Sequence, residues 1–470
     1  MREHRRKGDP GMKLCILGGG GFRVPYVYRA LLGDGGEPRV DDVWLYDTDS
    51  ERLEAVQRIL AELAEGHPDA PRVSATTVLD DALEGADFVF CAVRVGGLAG
   101  RTQDERVALE LGVLGQETTG PGGLAYGLRT LPVMRRFAER VRAVAPGAFV
   151  INFTNPAGMI TEAMQSVLGD RVVGICDTPS GLGRRVARAL GADPAAARLD
   201  YIGLNHLGWL RRLELDGRDR LPELLADDEK LGSLEETEVF GPEWIRTMGL
   251  LPNEYLYYYY FNRDAVRAIL DAPRTRGEFL VEQQTAFFRQ ARGLSCGAER
   301  LWRRTIAERS ASYMAEAKDG VEHGEAPAAG AGSPTDEAPE PEIDGYAGVA
   351  LALMNAIARD EPASMVLNVR NGPIVPSLPA DAVIEVPCTV DAKGPRPQPV
   401  TAPDLSQLGL MQQVKACERL TVRAAFEQDP DAALQAFALH PLVDSVSVAR
   451  RLLDGYRTRI PEVAEALGGR

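Results

Sequence analysis

Short apolar runs that stop at small or polar residues punctuate the first half of the chain. Met12–Leu17 (MKLCIL) meets Gly18-Gly19-Gly20-Gly21, residues 43–46 (VWLY) end in Asp47, and residues 87–93 (DFVFCAV) stop at Arg94. Residues 149–151, 172–175 and 199–204 repeat the pattern and end at Asn152, Cys176-Asp177 and Asn205-His206. Uninterrupted runs of this kind are the signature of strands buried on both faces of a parallel sheet. Helical stretches fill the gaps, among them the residues from the glycines to about Leu32 and 127–144 (GLRTLPVMRRFAERVRAV). The pattern predicts an α/β chain: a Rossmann-like doubly wound parallel sheet over 12–205, followed over 206–470 by a mostly helical α+β part for substrate contacts and oligomerisation.

After Trp209 the pattern changes. Residues 210–215 predict an outer strand turning at Asp216-Gly217, followed by helices at about 221–231, 238–248 and 277–317. A helix at 345–359, strands near 365–369 and 382–387, and helices at 404–427, 430–439 and 443–458 complete the chain. In 404–427, Leu405, Leu408, Met411, Val414, Cys417, Leu420 and Ala424 recur in steps of three and four, marking a core or subunit-contact helix. Residues 1–11 are a basic, predicted disordered leader, and 319–344, rich in Ala, Gly, Pro and acids, a predicted disordered insertion.

Composition narrows the function. The net charge of −15 and pI near 5.0 argue against a nucleic-acid or anionic-membrane partner. An anionic substrate would need its own local arginines. No apolar run approaches the length of a membrane span. The six cysteines lack CxxC spacing, which fits a reducing cytoplasm.

In such sheets ligands gather at the carboxyl ends of the strands. Here those ends supply Asn152, Asn155, Cys176, Asp177, Asn205 and His206. Strand, glycine turn, helix, strand and acid is the dinucleotide-binding arrangement, with Gly18, Gly20, Gly21 and Phe22 near the pyrophosphate. Asp47 is placed for the ribose hydroxyls, favouring NAD over NADP; Arg23 stands where GxGxxG has its third glycine. Arg94, directly after a buried strand, suits an anion. Of the histidines at 4, 67, 206, 323 and 440, only His206 ends a buried strand. With Cys176 it makes a pair of divalent-metal ligands, and no HxxxH or carboxylate cluster completes a protein-only cage, which suits an open catalytic site. Residues 252–261 (PNEYLYYYYF) carry five tyrosines in six positions, and one hydroxyl is expected in a cleft.

These pieces resemble glycoside hydrolase family 4, the NAD- and metal-dependent glycosidases, over nearly the whole chain outside leader and insertion. The resemblance lies in 94–105 (RVGGLAGRTQDE), 112–123 (GVLGQETTGPGG), 152–158 (NFTNPAG), 176–179 (CDTP), 203–209 (GLNHLGW), 252–259 (PNEYLYYY) and 368–372 (NVRNG). It implies NAD⁺ accepting hydride from sugar C3, and Mn²⁺ or another divalent metal held by Cys176 and His206. It further implies a tyrosine base for the C2 proton, then elimination, water addition and hydride return. Tyr255 is the chosen base, with Tyr257 and Tyr258 as alternatives, and Asp177 can serve as general acid. Asn155 and Glu117 resemble sugar contacts, Arg94 the phosphate contact, with Arg276 and Arg370 as further candidates. LNHLGW and YLYYY look most like the 6-phospho-β-glucosidase branch, although its pattern has Asn where this chain has Asp177. Phospho-sugar members carry GGGS and then Thr-Pro in the first loop; this chain has Gly20-Gly21-Phe22-Arg23-Val24-Pro25, where Arg23 can hold the phosphate instead. The resemblance also implies a cytoplasmic homodimer or homotetramer acting on a sugar or sugar phosphate, with no nucleic-acid or membrane partner. Competing readings are a family 4 glycosidase of α or non-phosphorylated specificity, a lactate/malate-type dehydrogenase and a non-catalytic NAD sensor.

Overall fold

In the computed structural model, residues 11–311, 314, 317 and 345–469 are described; the leader apart from Gly11, and the insertion 319–344, lie outside them. The apolar runs form β1 (Met12–Leu17), β2 (Val40–Tyr46), β4 (Phe88–Cys91), β5 (Phe149–Asn152) and β6 (Val172–Gly174). The sheet gains β3 (Arg72–Thr76, RVSAT), a partly exposed edge strand that no apolar run marks. They lie in the order β3-β2-β1-β4-β5-β6, every neighbouring pair parallel. Strand order reverses direction between β1 and β4, the switch point at which doubly wound sheets open their ligand crevice. Alternate residues of β1 serve opposite faces: Leu14 and Ile16 join one apolar core, Cys15 and Leu17 the other.

Beyond β6 the sheet departs from expectation. β7 (Arg198–Leu204) turns at Asn205-His206 straight into β8 (Leu207–Leu215) as an antiparallel hairpin, so it is not a further parallel strand. The apolar pattern places the start of the outer strand at 210, later than the structure does, because Gly208 interrupts the run. β9 (Arg218–Asp219) and β10 (Leu251–Pro252) pair with β8, and β11 (Ala363–Arg370), β12 (Val383–Asp391) and β13 (Gly394–Pro397) come from beyond the insertion. β11 and β12 slot between β6 and β7, with every contact antiparallel. One sheet thus runs through both parts of the chain, and the division at 205/206 falls in a hairpin turn.

The helices follow the periodicity, with breaks where local chemistry demands them. The 277–317 segment is two helices, Arg276–Arg292 and Ala298–Ala311. The 221–231 segment divides at Asp227, whose carboxylate accepts from the Glu229 and Lys230 amides and starts a second helix. The 238–248 segment divides at Gly241, φ 74°. Helix Leu405–Glu427 buries Met411, Cys417 and Ala424, while Leu405 in its first turn is 88% exposed. Among the described residues no helix is long and apolar enough to cross a membrane.

Candidate active site

A cleft of about 1650 Å³ opens at the carboxyl ends of the parallel strands. Its nucleotide end is made by the β1 turn. Gly18 lies at φ 90°, and a Cβ there would meet the Ala92 carbonyl oxygen at 2.4 Å, so the turn tolerates no side chain. The Gly20 amide donates to Asp47 Oδ2 at 3.0 Å, which clasps the glycine turn to the end of β2. Gly18, Gly21, Phe22 and Asp47 line the cleft; Gly20 acts through its amide. Phe22 is buried edge-on against Phe287, with ring centroids 5.0 Å apart.

The other end holds the expected chemistry. Cys176, Asp177, Asn155, His206, Glu117 and Tyr255 all line this cleft. His206 occupies the second position of the hairpin turn at φ 62° and is 8% exposed. Its Nδ1 lies 3.0 Å from Thr118 Oγ1, leaving Nε2 as the nitrogen able to meet a cation. Its ring lies flat on Tyr255, with centroids 3.6 Å apart and an interplanar angle of 3°. Burial lowers the His206 pKa to about 4, so the imidazole is neutral, as ligation requires. Burial pushes the Cys176 thiol well up, and the charges of Glu385 and Asp177 push it further; a bound dication is what would convert it to thiolate. Among the described residues Asn155 Oδ1 has no hydrogen-bond partner although it is buried, which leaves it as an acceptor at the cleft wall. This donor set fits a divalent ion that also takes oxygens from a substrate. Among the described residues no group of three or more His, Cys, Asp or Glu forms a cage of its own.

Tyr257, one of the alternative bases, is fully buried and stacked on Phe261 outside the cleft lining; Tyr258 does line the cleft. Only Tyr255 is stacked on the His206 ring.

Electrostatics fill the floor. Arg94 and Arg101 pair with opposite oxygens of Glu117 at 2.6 and 2.7 Å. Burial works against a charge on Glu117, yet the two guanidiniums outweigh it and hold the carboxyl at about 2. Arg94 is therefore Glu117's partner in this structure. Arg276 lines the cleft beside Arg23, Arg101 and Arg309. Burial and these three neighbouring cations lower the proton affinity of Arg309, so positive charge is concentrated where an anion would relieve it.

Arg370 is not brought to the site. β11 runs antiparallel to β6, so its carboxyl end points to the opposite edge, where Arg370 pairs with Asp170 at 3.2 Å and donates to the Gln165 carbonyl. Asn368, two residues earlier, lies behind the cleft lining: it is fully buried, pairs with Gly174 in the sheet and donates to Glu385 at 3.0 Å. Sequence reasoning missed Arg101, Arg309 and Glu385. The first two lie within helices: Arg101 sits inside the 94–105 motif, where only Arg94 was singled out, and no such motif contains Arg309. A lone Glu inside the apolar run Val383–Cys388 was the available signal for the third.

A parallel sheet in 3-2-1-4-5-6 order, a glycine turn clasped to an acid, and a Cys/His/Tyr constellation at the strand ends define a nucleotide-binding enzyme with a metal-ready centre. The chain belongs to family 4 of the glycosyl hydrolases: the model "Family 4 glycosyl hydrolase" matches residues 13–192 and "Family 4 glycosyl hydrolase C-terminal domain" residues 201–443. It is 31% identical over 458 residues to "Maltose-6'-phosphate glucosidase" of Bacillus subtilis (strain 168), covering 94% of each chain. It is 28% identical over 473 residues to "6-phospho-beta-glucosidase" of Escherichia coli (strain K12), covering 97% of this chain and 98% of that one. The 6-phospho-β-glucosidase of Thermotoga maritima, solved with manganese, NAD⁺ and glucose-6-phosphate, superimposes with a TM-score of 0.79 at 26% identity, over 96% of this chain and 99% of that one. The dehydrogenase reading gives way to the glycosidase family.

Proposed function

We infer that the chain is an NAD⁺- and Mn²⁺-dependent glycosidase acting on 6-phosphoglucosides. The observation that carries this reading is the Tyr255 ring stacked on His206 in the cleft that also holds Cys176. When bound, NAD⁺ supplies reversible hydride acceptance at sugar C3, and Mn²⁺, held by Cys176 and His206, supplies polarisation of the resulting carbonyl.

The remaining work falls to the chain. Tyr255 removes the C2 proton; an unperturbed tyrosine titrates near 10, so a neighbouring dication is what makes it a competent base. Asp177 delivers a proton to the departing glycosidic oxygen. Glu117, held ionised by Arg94 and Arg101, accepts from a sugar hydroxyl, and Asn155 orients the ring. Arg23, Arg276 and Arg309 receive the 6-phosphate, for which the charge on Arg309's neighbours is the support.

The β anomer is favoured by the GLNHLGW and YLYYY motifs. The α anomer is favoured by Asp177, a carboxyl group 4.0 Å from the Cys176 sulfur. We further read the enzyme as a cytoplasmic homo-oligomer, which the exposed Leu405, Leu439 and Val446 on its C-terminal helices support.

The test is a set of aryl α- and β-glucosides, with and without 6-phosphate, under NAD⁺, Mn²⁺ and a thiol reductant. Release of aglycone from phosphorylated substrates, dependent on catalytic NAD⁺, is the expected result. NADH accumulating in proportion to substrate, without aglycone release, would return the dehydrogenase reading.

A further inference from the structure

A row of residues crosses the sheet where its parallel and antiparallel halves meet: Gly174 on β6, Asn368 on β11, Glu385 on β12, Gly203 on β7 and Gly208 on β8 are successive register partners. The glycines leave room for the polar side chains between them. A Cβ on Gly174 would come within 2.9 Å of the Asn368 Cβ, and one on Gly208 within 2.2 Å of the Tyr201 hydroxyl. At the centre, Glu385 has no exposed surface, although burying a carboxyl group in a sheet is expensive unless it is hydrogen-bonded. It accepts from Tyr201 Oη at 3.0 Å, Asn368 Nδ2 at 3.0 Å and Asn205 Nδ2 at 3.4 Å. Burial still pushes its pKa up to about 7.

The donors lead outward to the site. Asn205 precedes His206 in the hairpin turn, and its Oδ1 accepts from the Ala157 amide at 3.2 Å, tying the turn to the helix that follows β5. Tyr201 Oη in turn accepts from Asn253 Nδ2 at 3.2 Å, and Asn253 Oδ1 accepts from the Tyr255 amide at 3.1 Å. Asn253 is itself fully buried. One carboxyl group therefore reaches the backbone of both rings that stack at 3.6 Å, by separate arms.

We propose that Glu385 is a positioning residue, which through Asn205 sets His206 and through Tyr201 and Asn253 sets Tyr255, so that metal ligand and base stay in register. This rests on the reading of Tyr255 and His206 given above. A buried carboxyl group that touches neither ring directly, yet is joined by one hydrogen bond to the residue before His206 and by a chain of three to the Tyr255 amide, serves the site by fixing it. Groups in this relation to a metal ligand typically change affinity or rate by about 10- to 100-fold when removed.

The arms separate by mutation. Tyr201→Phe cuts the arm through Asn253, taking with it the hydroxyl's own bond to Glu385, and leaves the Asn205 arm in place. For this variant kcat is expected to fall about 10- to 100-fold, with Mn²⁺ affinity, measured by electron paramagnetic resonance, unchanged. A crystal structure of this variant is expected to show Tyr255 shifted off the His206 ring. Glu385→Gln keeps one acceptor oxygen and turns the other into a donor, so it removes the charge and weakens the arms without releasing both, whereas Glu385→Ala releases both. Both kcat and Mn²⁺ affinity are expected to fall in the Gln variant and further in the Ala variant, while NAD⁺ affinity holds. Should Glu385→Ala not fold, the Gln and Tyr201 variants carry the test. Wild-type Mn²⁺ affinity in Glu385→Gln together with an unmoved ring stack in both variants overturns the proposal. Metal affinity and ring position can both be measured without turnover. A wild-type enzyme inert toward 6-phosphoglucosides would therefore sink the proposed function while the positioning role of Glu385 stood or fell on its own measurements.

Discussion

His206 sits at φ 62°, where a non-glycine residue costs about 1 kcal/mol or more. The hairpin holds it there because that conformation, with Thr118 on Nδ1 and Tyr255 beneath, turns the imidazole to the cleft. His206→Gly relieves the backbone while deleting the proposed ligand. Its unfolding free energy is expected to stay within about 1 kcal/mol of wild type, while loss of Lewis-acid assistance lowers aglycone release on the order of 10³-fold. Denaturant melts and turnover together check this; a variant that melts early would show the ring to be structural. Arg309→Ala is expected to lower kcat/KM for 6-phosphorylated substrates about 10- to 100-fold and to leave unphosphorylated glucosides, however poor, unaffected. Cys176 and His206 stood out in sequence because their side-chain chemistry is unusual where apolar runs end, whereas Tyr255 was singled out among its neighbouring tyrosines only through the family resemblance. Arg309 was not, since an arginine on a helix looks like any solvated cation until folding sets it beside Arg23, Arg101 and Arg276.

At the scale of elements, five of the six parallel strands could be read directly from uninterrupted apolar runs; the sixth, the edge strand β3 (RVSAT), is only partly buried, carries no such run and could not be read. The antiparallel additions could not, because insertion of β11 and β12 between β6 and β7 is a long-range pairing that no local pattern encodes. The misplacement of Arg370 has the same root: carboxyl ends face the cleft only in the parallel strands, and β11 runs the other way. The glycine row offers a check on this junction. Gly208→Ala drives a methyl group against the Tyr201 hydroxyl, 2.2 Å from the ideal Cβ, and is expected to destabilise the fold by about 1–3 kcal/mol. Combining it with Tyr201→Phe should recover part of that loss, as urea denaturation would measure. Full additivity of the two changes would mean that the hydroxyl is not what the glycine accommodates.

For the molecule as a whole, acid sensitivity follows from buried imidazoles. His440 is 3% exposed, accepts from the Leu442 amide through Nδ1, and is held by burial at a pKa of about 3. The unfolded chain takes up a proton near 6.5 that native His440 refuses until about 3, so the native state loses stability as pH falls through that window. From pH 7 to 5 this residue alone contributes a loss of about 2 kcal/mol, which His440→Asn should abolish in calorimetric scans. Glu385, raised to about 7, acts in the opposite sense, holding its proton natively where the unfolded chain has released it, so the comparison of variant with wild type is what isolates His440. The catalytic account meets its most direct test in the product. With 6-phosphoglucoside, Mn²⁺ and NAD⁺ far below the substrate concentration in D₂O, proton NMR of the released glucose 6-phosphate is expected to show deuterium at C2 after many turnovers per NAD⁺. Hydrolysis that leaves C2 fully protiated, or proceeds unchanged without NAD⁺, would contradict a cleft built to remove that proton.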